Sequence, residues 1–426
     1  MQDPWQREQW CSSPHTFIAD VQAQIAFPKK IELLDLSLDE NGEGMAGAHL
    51  SEDQKLAVAE TLDEMGVHRI GVLGYPERIT NEEKALLKQE VTAAKRIAKA
   101  VKKSALSALA TSAADIERAA EVGVRDVVIR KYVSKVQDIE PESNEKRIAD
   151  FVELAEKARS LGLRVGILAQ GITRANLETD VREILTGIHA ATPLDEICLT
   201  DTHGVGTPQG FAYLVRRVKS WVDVPLQVHC HNHLGLGVAN ACFAAAAGAS
   251  VIHTTMHGLG HFAGLAPLEE VIVALSVGYG VTMDVDAQRL YALSQDIQRY
   301  TGITMPPHKA VVGSRAFVMS NDVMYNQLNL DRKDAGVPRT ATLPYLPEMV
   351  GNQERVYLGI GLSRVAVKWN LALLNVEATD TEIDDIFAAA LSLIEQREGE
   401  ISESEFAAII SRCKAISREP QQAASS

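Results

Sequence analysis

Residues 196–257 read EICLTDTHGVGTPQGFAYLVRRVKSWVDVPLQVHCHNHLGLGVANACFAAAAGASVIHTTMH. Three short apolar runs stand in it: EICLTDTH (196–203), PLQVHCHN (225–232) and SVIHTTMH (250–257). Each has the length of a strand and ends in polar residues, and stretches of helix length separate them. Five similar runs lie upstream: IELLDLSL (31–38), HRIGVLGY (68–75), SALSALA (104–110), DVVIRKYV (126–133) and RVGILAQG (164–171). Between them come stretches such as SEDQKLAVAETLDEMG (51–66) and ADIERAAEVG (114–123), which begin near a capping residue and end at glycine. Eight strand–helix units over about 250 residues are the arithmetic of a (β/α)8 barrel. An open doubly wound sheet is the competing architecture, but no glycine-rich GxGxxG turn follows the first strand. The expected class is therefore α/β, a TIM barrel.

Beyond about residue 285 helical periodicity takes over, in AQRLYALSQDIQRYTG (287–302), TDTEIDDIFAAALSLIEQREG (379–399) and SESEFAAIISRCKAIS (402–417). A Pro- and Gly-rich stretch at 331–355 lies between them. The expected organisation is an N-terminal arm (1–30), a barrel (31–285), a linker with helical C-terminal subdomains (286–417) and a disordered tail (418–426).

In such a barrel the chemistry sits at the C-terminal ends of the strands. The seventh run ends in His229, His231 and His233. Residues two apart on a strand point the same way, so two imidazoles of an HxH can reach one metal ion. The first run supplies acids for such a site in Asp35, Asp39 and Glu40. A single histidine in this setting would more often be a satisfied core residue. The HxH placement opposite acids favours a ligand pair, with Glu40 or Asp39 as the carboxylate. Seven of the twelve histidines fall between 203 and 261, so His203, His233 and His261 are candidates for proton transfer. For His253 and His257 an outward, non-functional placement is equally open. Arg174, after the fifth run, is a candidate substrate contact, and Arg130 or Lys131 could line the site or face the helices instead.

The 426 residues, 46% hydrophobic and 23% charged, hold one large domain plus a smaller one, or two to three ordinary ones. Fifty-six acids against 42 Lys and Arg leave a net charge of −14, which argues against nucleic acid or an anionic membrane as partner. Five scattered cysteines (11, 198, 230, 242, 413) without a CxxC pair read as thiols in a reducing compartment. Neither a secretory signal nor an apolar run of spanning length is present, and the expected location is cytoplasmic.

The stretch HCHNHLGLGVANACFAAAAGASVIHTTMHGLGHFAGLAPLEEV (229–271) resembles the seventh- and eighth-strand segment of the 2-isopropylmalate synthase, homocitrate synthase and 3-hydroxy-3-methylglutaryl-CoA lyase superfamily, the DRE-TIM metallolyases. LTDTHGVGTPQGF (199–211) resembles its sixth-strand DTxGxxTP segment. TGITMPPHKAVVGSRAF (301–317) and VYLGIGLSRVAVK (356–368) resemble segments of the synthase branch. The resemblance covers about 31–410. It implies a divalent metal (Mg, Mn, Zn or Fe) held by His229, His231 and Glu40, a CoA thioester as a further cofactor, and a small oxo or hydroxy acid as substrate, with Gln170 and Thr202 as its contacts beside Arg174. It also implies a homodimer whose C-terminal region covers the neighbouring site, and the lack of the leucine-responsive domain of long synthases.

The scaffold matches better than the site. Where the family carries DTTLRDGEQ, this chain reads DLSLDENGE (35–43), so the electrophilic Arg is Asp39 and the metal-binding Asp is Glu40. The second-strand Glu is Gly71, the fifth-strand Glu is Gln170, and the Asp after the HxH is His233. In the GIGERAGN segment Glu, Arg and Asn become His261, Phe262 and Leu265. The linker HESGIH becomes MSNDVM (319–324). Asp39 cannot stabilise an enolate, so these replacements argue against the standard acetyl-CoA Claisen condensation. The expected function is a metal-dependent enzyme making or breaking a C–C bond beside a carbonyl. Here Asp39 would act as base or orienter, and His203, His233 or His261 would move the proton. A two-His-one-carboxylate Fe(II)/O2 oxygenase or metal-hydroxide hydrolase is the alternative, and a non-catalytic metabolite-binding homologue the third.

Overall fold

The computed structural model describes residues 4–40, 50–74, 81–136, 142–319 and 330–423, with the side chains of 39–40, 81–86 and 416–423 left out. Eight parallel strands close into a barrel: β1 (Glu32–Asp35), β2 (Arg69–Leu73), β3 (Ala105–Ala110), β4 (Asp126–Tyr132), β5 (Arg164–Gln170), β6 (Glu196–Asp201), β7 (Leu226–Cys230) and β8 (Val251–Thr254). Each lies inside one of the eight apolar runs. Closure is made by β8 on β1, from Glu32 opposite Val251 to Asp35 opposite Thr254.

Helices follow the strands in the order the sequence sets. β1 runs into the short helix α1 (Ser37–Glu40) and then α2 (Glu52–Met65). Next come α3 (Asn81–Ala100), α4 (Ala113–Val122), α5 (Asn144–Ser160), α6 (Glu183–Ala191), α7 (Pro208–Lys219), α8 (Gly237–Ala246) and α9 (Leu268–Val273). The capping signals hold. Ser51 and Gln54 form a reciprocal capping box on α2, as Ser112 and Asp115 do on α4.

The N-terminal ends of the strands are tied by charge. Arg69 on β2 bonds Glu196 on β6 at 2.7 Å and Glu32 on β1 at 2.8 Å. Arg164 on β5 reaches Glu196 at 3.2 Å and Asp126 on β4 at 3.0 Å. Gln227 on β7 donates to the same Glu196.

By its internal packing the chain divides into two units: Ser12–Met305 with Asp3–Trp5, and Pro306–Ser426 with Gln6–Cys11. The division thus falls after 305 rather than 285. Helix α10 (Leu290–Thr301) packs with the barrel, its Ser294 hydroxyl 2.6 Å from His257 Nε2. The arm is likewise split. Residues Gln6–Cys11 belong to the C-terminal unit, where Trp10 bridges Tyr345, while Pro14–Phe17 and Ala19–Gln22 form turns of helix on the barrel unit. The C-terminal unit has its own core. There α11 (Arg364–Leu373), α12 (Asp380–Arg397) and α13 (Glu403–Ala423) pack Trp369, Ile386 and Phe406 together beside a parallel strand pair, β9 (Val318–Met319) and β10 (Arg355–Val356). Helix α13 runs past residue 417, to Ala423.

Candidate active site

Side chains alternate along a strand, and that parity builds the barrel interior. Inward positions are Leu34 on β1, Ser107 and Leu109 on β3, Val128 and Arg130 on β4, Leu168 and Gln170 on β5, Thr200 on β6, and His229 on β7. Together with Leu36, Gly74, Ala108, His231, His253 and His261 they enclose a cavity of about 90 Å3.

His229 and His231 converge in it. Their Nε2 atoms are 3.3 Å apart and their ring centroids 5.1 Å apart. Both are buried. Burial, then the neighbouring histidines, hold His229 well below the usual imidazole range and bring His231 down to about 4. Both rings are therefore neutral near pH 7, the form that ligates a metal.

A buried relay settles which nitrogen of His229 carries the proton. Gln227 gives its amide N–H to Glu196, so its carbonyl oxygen faces His253 Nε2 at 2.6 Å and can only accept. His253 Nε2 must then be the N–H, leaving a lone pair on Nδ1. Burial pushes His253 down to about 3, so this ring is neutral as well. His229 Nδ1, 3.2 Å from His253 Nδ1, is the donor there. The Nε2 lone pair of His229 is left facing His231 and the cavity. A divalent cation fits this donor pair: two neutral imidazoles with their Nε2 atoms close together, that of His229 oriented from behind by His253. Among the described residues no set of three His, Cys, Asp or Glu side chains gathers there.

The loop after β8 folds back onto β7. Asn232 N–H donates to Gly264 O at 2.8 Å and Ala266 N–H to Cys230 O at 3.1 Å, which brings His261 to the cavity wall. The loop after β6 is built around Asp201. Its carboxylate accepts from Thr173 Oγ1 at 2.7 Å and from Gly206 N–H at 2.9 Å. At Gly204 (φ +58°) that loop meets β7 so closely that a Cβ would lie 2.8 Å from His233 N.

A model of the HMGL-like family matches residues 30–297. The chain is 31% identical to the (R)-citramalate synthase of Methanocaldococcus jannaschii, over 84% of this chain and 70% of that protein. It is equally 31% identical to the homocitrate synthase of Methanopyrus kandleri, over 89% and 92%. The chain belongs to the HMGL-like family. Among solved structures, an HMG-CoA lyase from Acinetobacter baumannii in complex with coenzyme A and 3-methylmalate is similar in fold. It has a TM-score of 0.55 and 20% identity, over 66% of this chain and 94% of that one. The HMGL-like chain is thus an enzyme, related to synthases and lyases that form or cleave carbon–carbon bonds.

Of the residues singled out from sequence, His229, His231, His261 and Gln170 line one cavity in this HMGL-like barrel. His233 is exposed at the rim, its ring centroid 5.9 Å from that of His231. His203 stands beside it, lowered by burial and then by Arg174. The Thr202 hydroxyl accepts from Gly171 N–H at 2.8 Å and so ties the β5 and β6 loops together. Arg174 is exposed. Asp39 and Glu40 end α1, but their side chains lie outside the described residues, as do residues 320–324 of the linker. Asp35 follows strand parity away from the cavity that Leu34 and Leu36 line.

Three further groups stand in or behind the cavity: His253 and Arg130, which the sequence left open, and Gln227, which it did not single out. The outward reading of His253 does not hold: it is buried and inward, behind His229. Gln227 could have been found by parity, being i−2 from His229. Arg130 lines the cavity, while Lys131 beside it pairs with Asp150 at 3.2 Å.

Proposed function

We propose that this enzyme is divalent-metal-dependent and makes or breaks a C–C bond next to the carbonyl of a small oxo or hydroxy acid. The observation that carries the reading is the pair of buried, neutral imidazoles whose Nε2 atoms stand 3.3 Å apart at the cavity. His229 and His231, with Glu40 or Asp39 from α1, would hold Mg, Mn, Zn or Fe. The metal would supply Lewis acidity at the substrate carbonyl.

The chain's own groups have separable tasks. His253 and Gln227 orient His229. His261 on the cavity wall, or His233 or His203 at the rim, would carry the proton. Gln170 can donate an amide N–H to a bound acid, and Thr202 and Arg174 would serve at the mouth. The complex of the Acinetobacter lyase with coenzyme A and 3-methylmalate supports a small acid, with a CoA thioester as co-substrate. Asp39 and Gln170, in place of an Arg and a Glu, weigh against the acetyl-CoA Claisen reaction of the synthases. A homodimer with the C-terminal region over the neighbouring site is part of the same proposal.

Metal analysis of the purified protein, combined with turnover assays, tests this. Mn2+- or Zn2+-loaded enzyme is incubated with oxo acids plus acyl-CoA, or with hydroxy acids alone, and thiol release or oxo-acid formation is followed. Replacing His229 and His231 together by Ala should abolish metal retention and turnover in one step. Full metal content in that double variant would sink the ligand assignment. Tightly bound iron with oxygen uptake would move the function to oxygen chemistry.

A further inference from the structure

Among the described residues Arg130 is the one Arg or Lys that lines the cavity, and neither the metal pair nor the family pattern gives it a task. It stands on β4, opposite Leu168 in the register with β5, with its side chain in the lumen wall. Its side chain makes no hydrogen bond or ion pair with any described residue. The arginines at the barrel floor differ: Arg69 is held by two carboxylates and Arg164 by three. The cavity it lines is bounded by apolar side chains such as Leu36, Leu109, Val128 and Leu168 and by the polar Ser107, Gln170 and Thr200, with no carboxylate among the described lining residues. A half-buried guanidinium in such surroundings loses hydration without gaining a partner, a cost that an anionic ligand removes. Parity adds a second lumen group, Gln170, the next inward residue of β5: its amide N–H can donate to a bound acid, and its Oε1, buried without a hydrogen-bond partner, can accept from a substrate hydroxyl. Strands β4 and β7 stand across the closed barrel from each other, three positions apart one way and five the other. Arg130 and the imidazole pair therefore face one lumen from different sides.

We propose that Arg130 is the substrate's carboxylate receptor. This rests on the function proposed above and deepens it: the substrate is a small carboxylic acid gripped at Arg130, with its carbonyl turned to the His229–His231 side. A guanidinium suits this because its planar fork matches a carboxylate with two parallel N–H donors. The apolar side chains of the wall accommodate the alkyl part of the acid.

Equilibrium binding to the Mn2+-loaded enzyme, measured by titration calorimetry without an acyl donor, tests the receptor apart from the reaction. The probes are pyruvate, 2-oxoisovalerate and 2-oxoglutarate, with methyl pyruvate as the uncharged control. The wild type is expected to bind at least one acid and to discriminate against the ester. Arg130→Gln should weaken acid binding about ten- to hundredfold, as loss of a charge-assisted pair does, with Mn2+ affinity unchanged. Arg130→Lys should recover part of it. A preference for 2-oxoglutarate that Arg130→Gln removes would assign a distal carboxylate to Arg130; equal losses for all three acids would assign the carboxylate next to the carbonyl. The proposal is overturned if Arg130→Gln binds the acids like the wild type, if it loses Mn2+ as well, or if the wild type binds none of them. Arg130-dependent binding without any C–C turnover would uphold the receptor and overturn the reaction.

Discussion

Asp35 is fully buried at the end of β1, with Oδ1 accepting Ser37 N–H at 2.9 Å. Burial pushes its carboxyl up to about 7. Between its ordinary value near 3.8 and 7 the folded state holds a proton that the unfolded chain has lost. The favourable contribution is complete below about pH 4 and is lost as pH rises through 7. Asp35→Asn keeps the acceptor and removes the titration. The variant should gain on the wild type as pH rises from 4 to 8, by on the order of 3 kcal/mol, read from unfolding midpoints across that range. Parallel profiles would show that Asp35 does not titrate there. At this scale the sequence was legible where parity acts. The HxH predicted a converging pair. The relay through His253, Gln227 and Glu196 was not visible, because it depends on the register of β6, β7 and β8, which no residue declares alone.

Among the elements, the eight strands and the caps of α2 and α4 followed from periodicity and side-chain chemistry. The loop after β6 did not, because its shape depends on contact with β7. Gly204 is the point of contact. A Cβ there would meet His233 N and Nδ1 at 2.8 Å and His231 O at 3.0 Å, in a backbone region at φ +58° that side chains disfavour. Gly204→Ala should cost about 1–3 kcal/mol and weaken Mn2+ binding, since the push falls on the segment carrying His231. Gly235→Ala is the control: φ is +70°, yet nothing lies within 4 Å of its added Cβ. It should lose stability through backbone strain alone and keep its metal affinity. Equal metal affinities for both variants would show that the β6 loop does not position His231.

Across the whole barrel, the floor network and the site are one connected structure. Arg69 joins β2 to β1 and β6, and through Glu196 and Gln227 the chain of bonds reaches His253 and His229. Arg69→Met leaves two carboxylates at the floor without their main partner. Glu196 is 5% exposed at its side chain. The expected cost is about 3–5 kcal/mol, as for other broken buried pairs, measured by denaturant unfolding. Arg69→Lys should recover only part, since a point charge cannot serve both acids as the guanidinium fork does. A loss below about 1 kcal/mol would mean the network is no stronger than a surface pair.

By itself the sequence determined the eight-unit barrel, the helical C-terminal region and the histidine pair. Each of these is written in local periodicity or in residues two apart on one strand. The tertiary structure decided the boundary after 305, the inward turn of His253, the outward turn of Asp35, and the choice of Arg130 over Lys131 at the cavity. Those outcomes depend on which strands are neighbours and how they are registered. Closing a barrel brings together residues more than a hundred positions apart, and their meeting is a property of the closed sheet rather than of any stretch of chain.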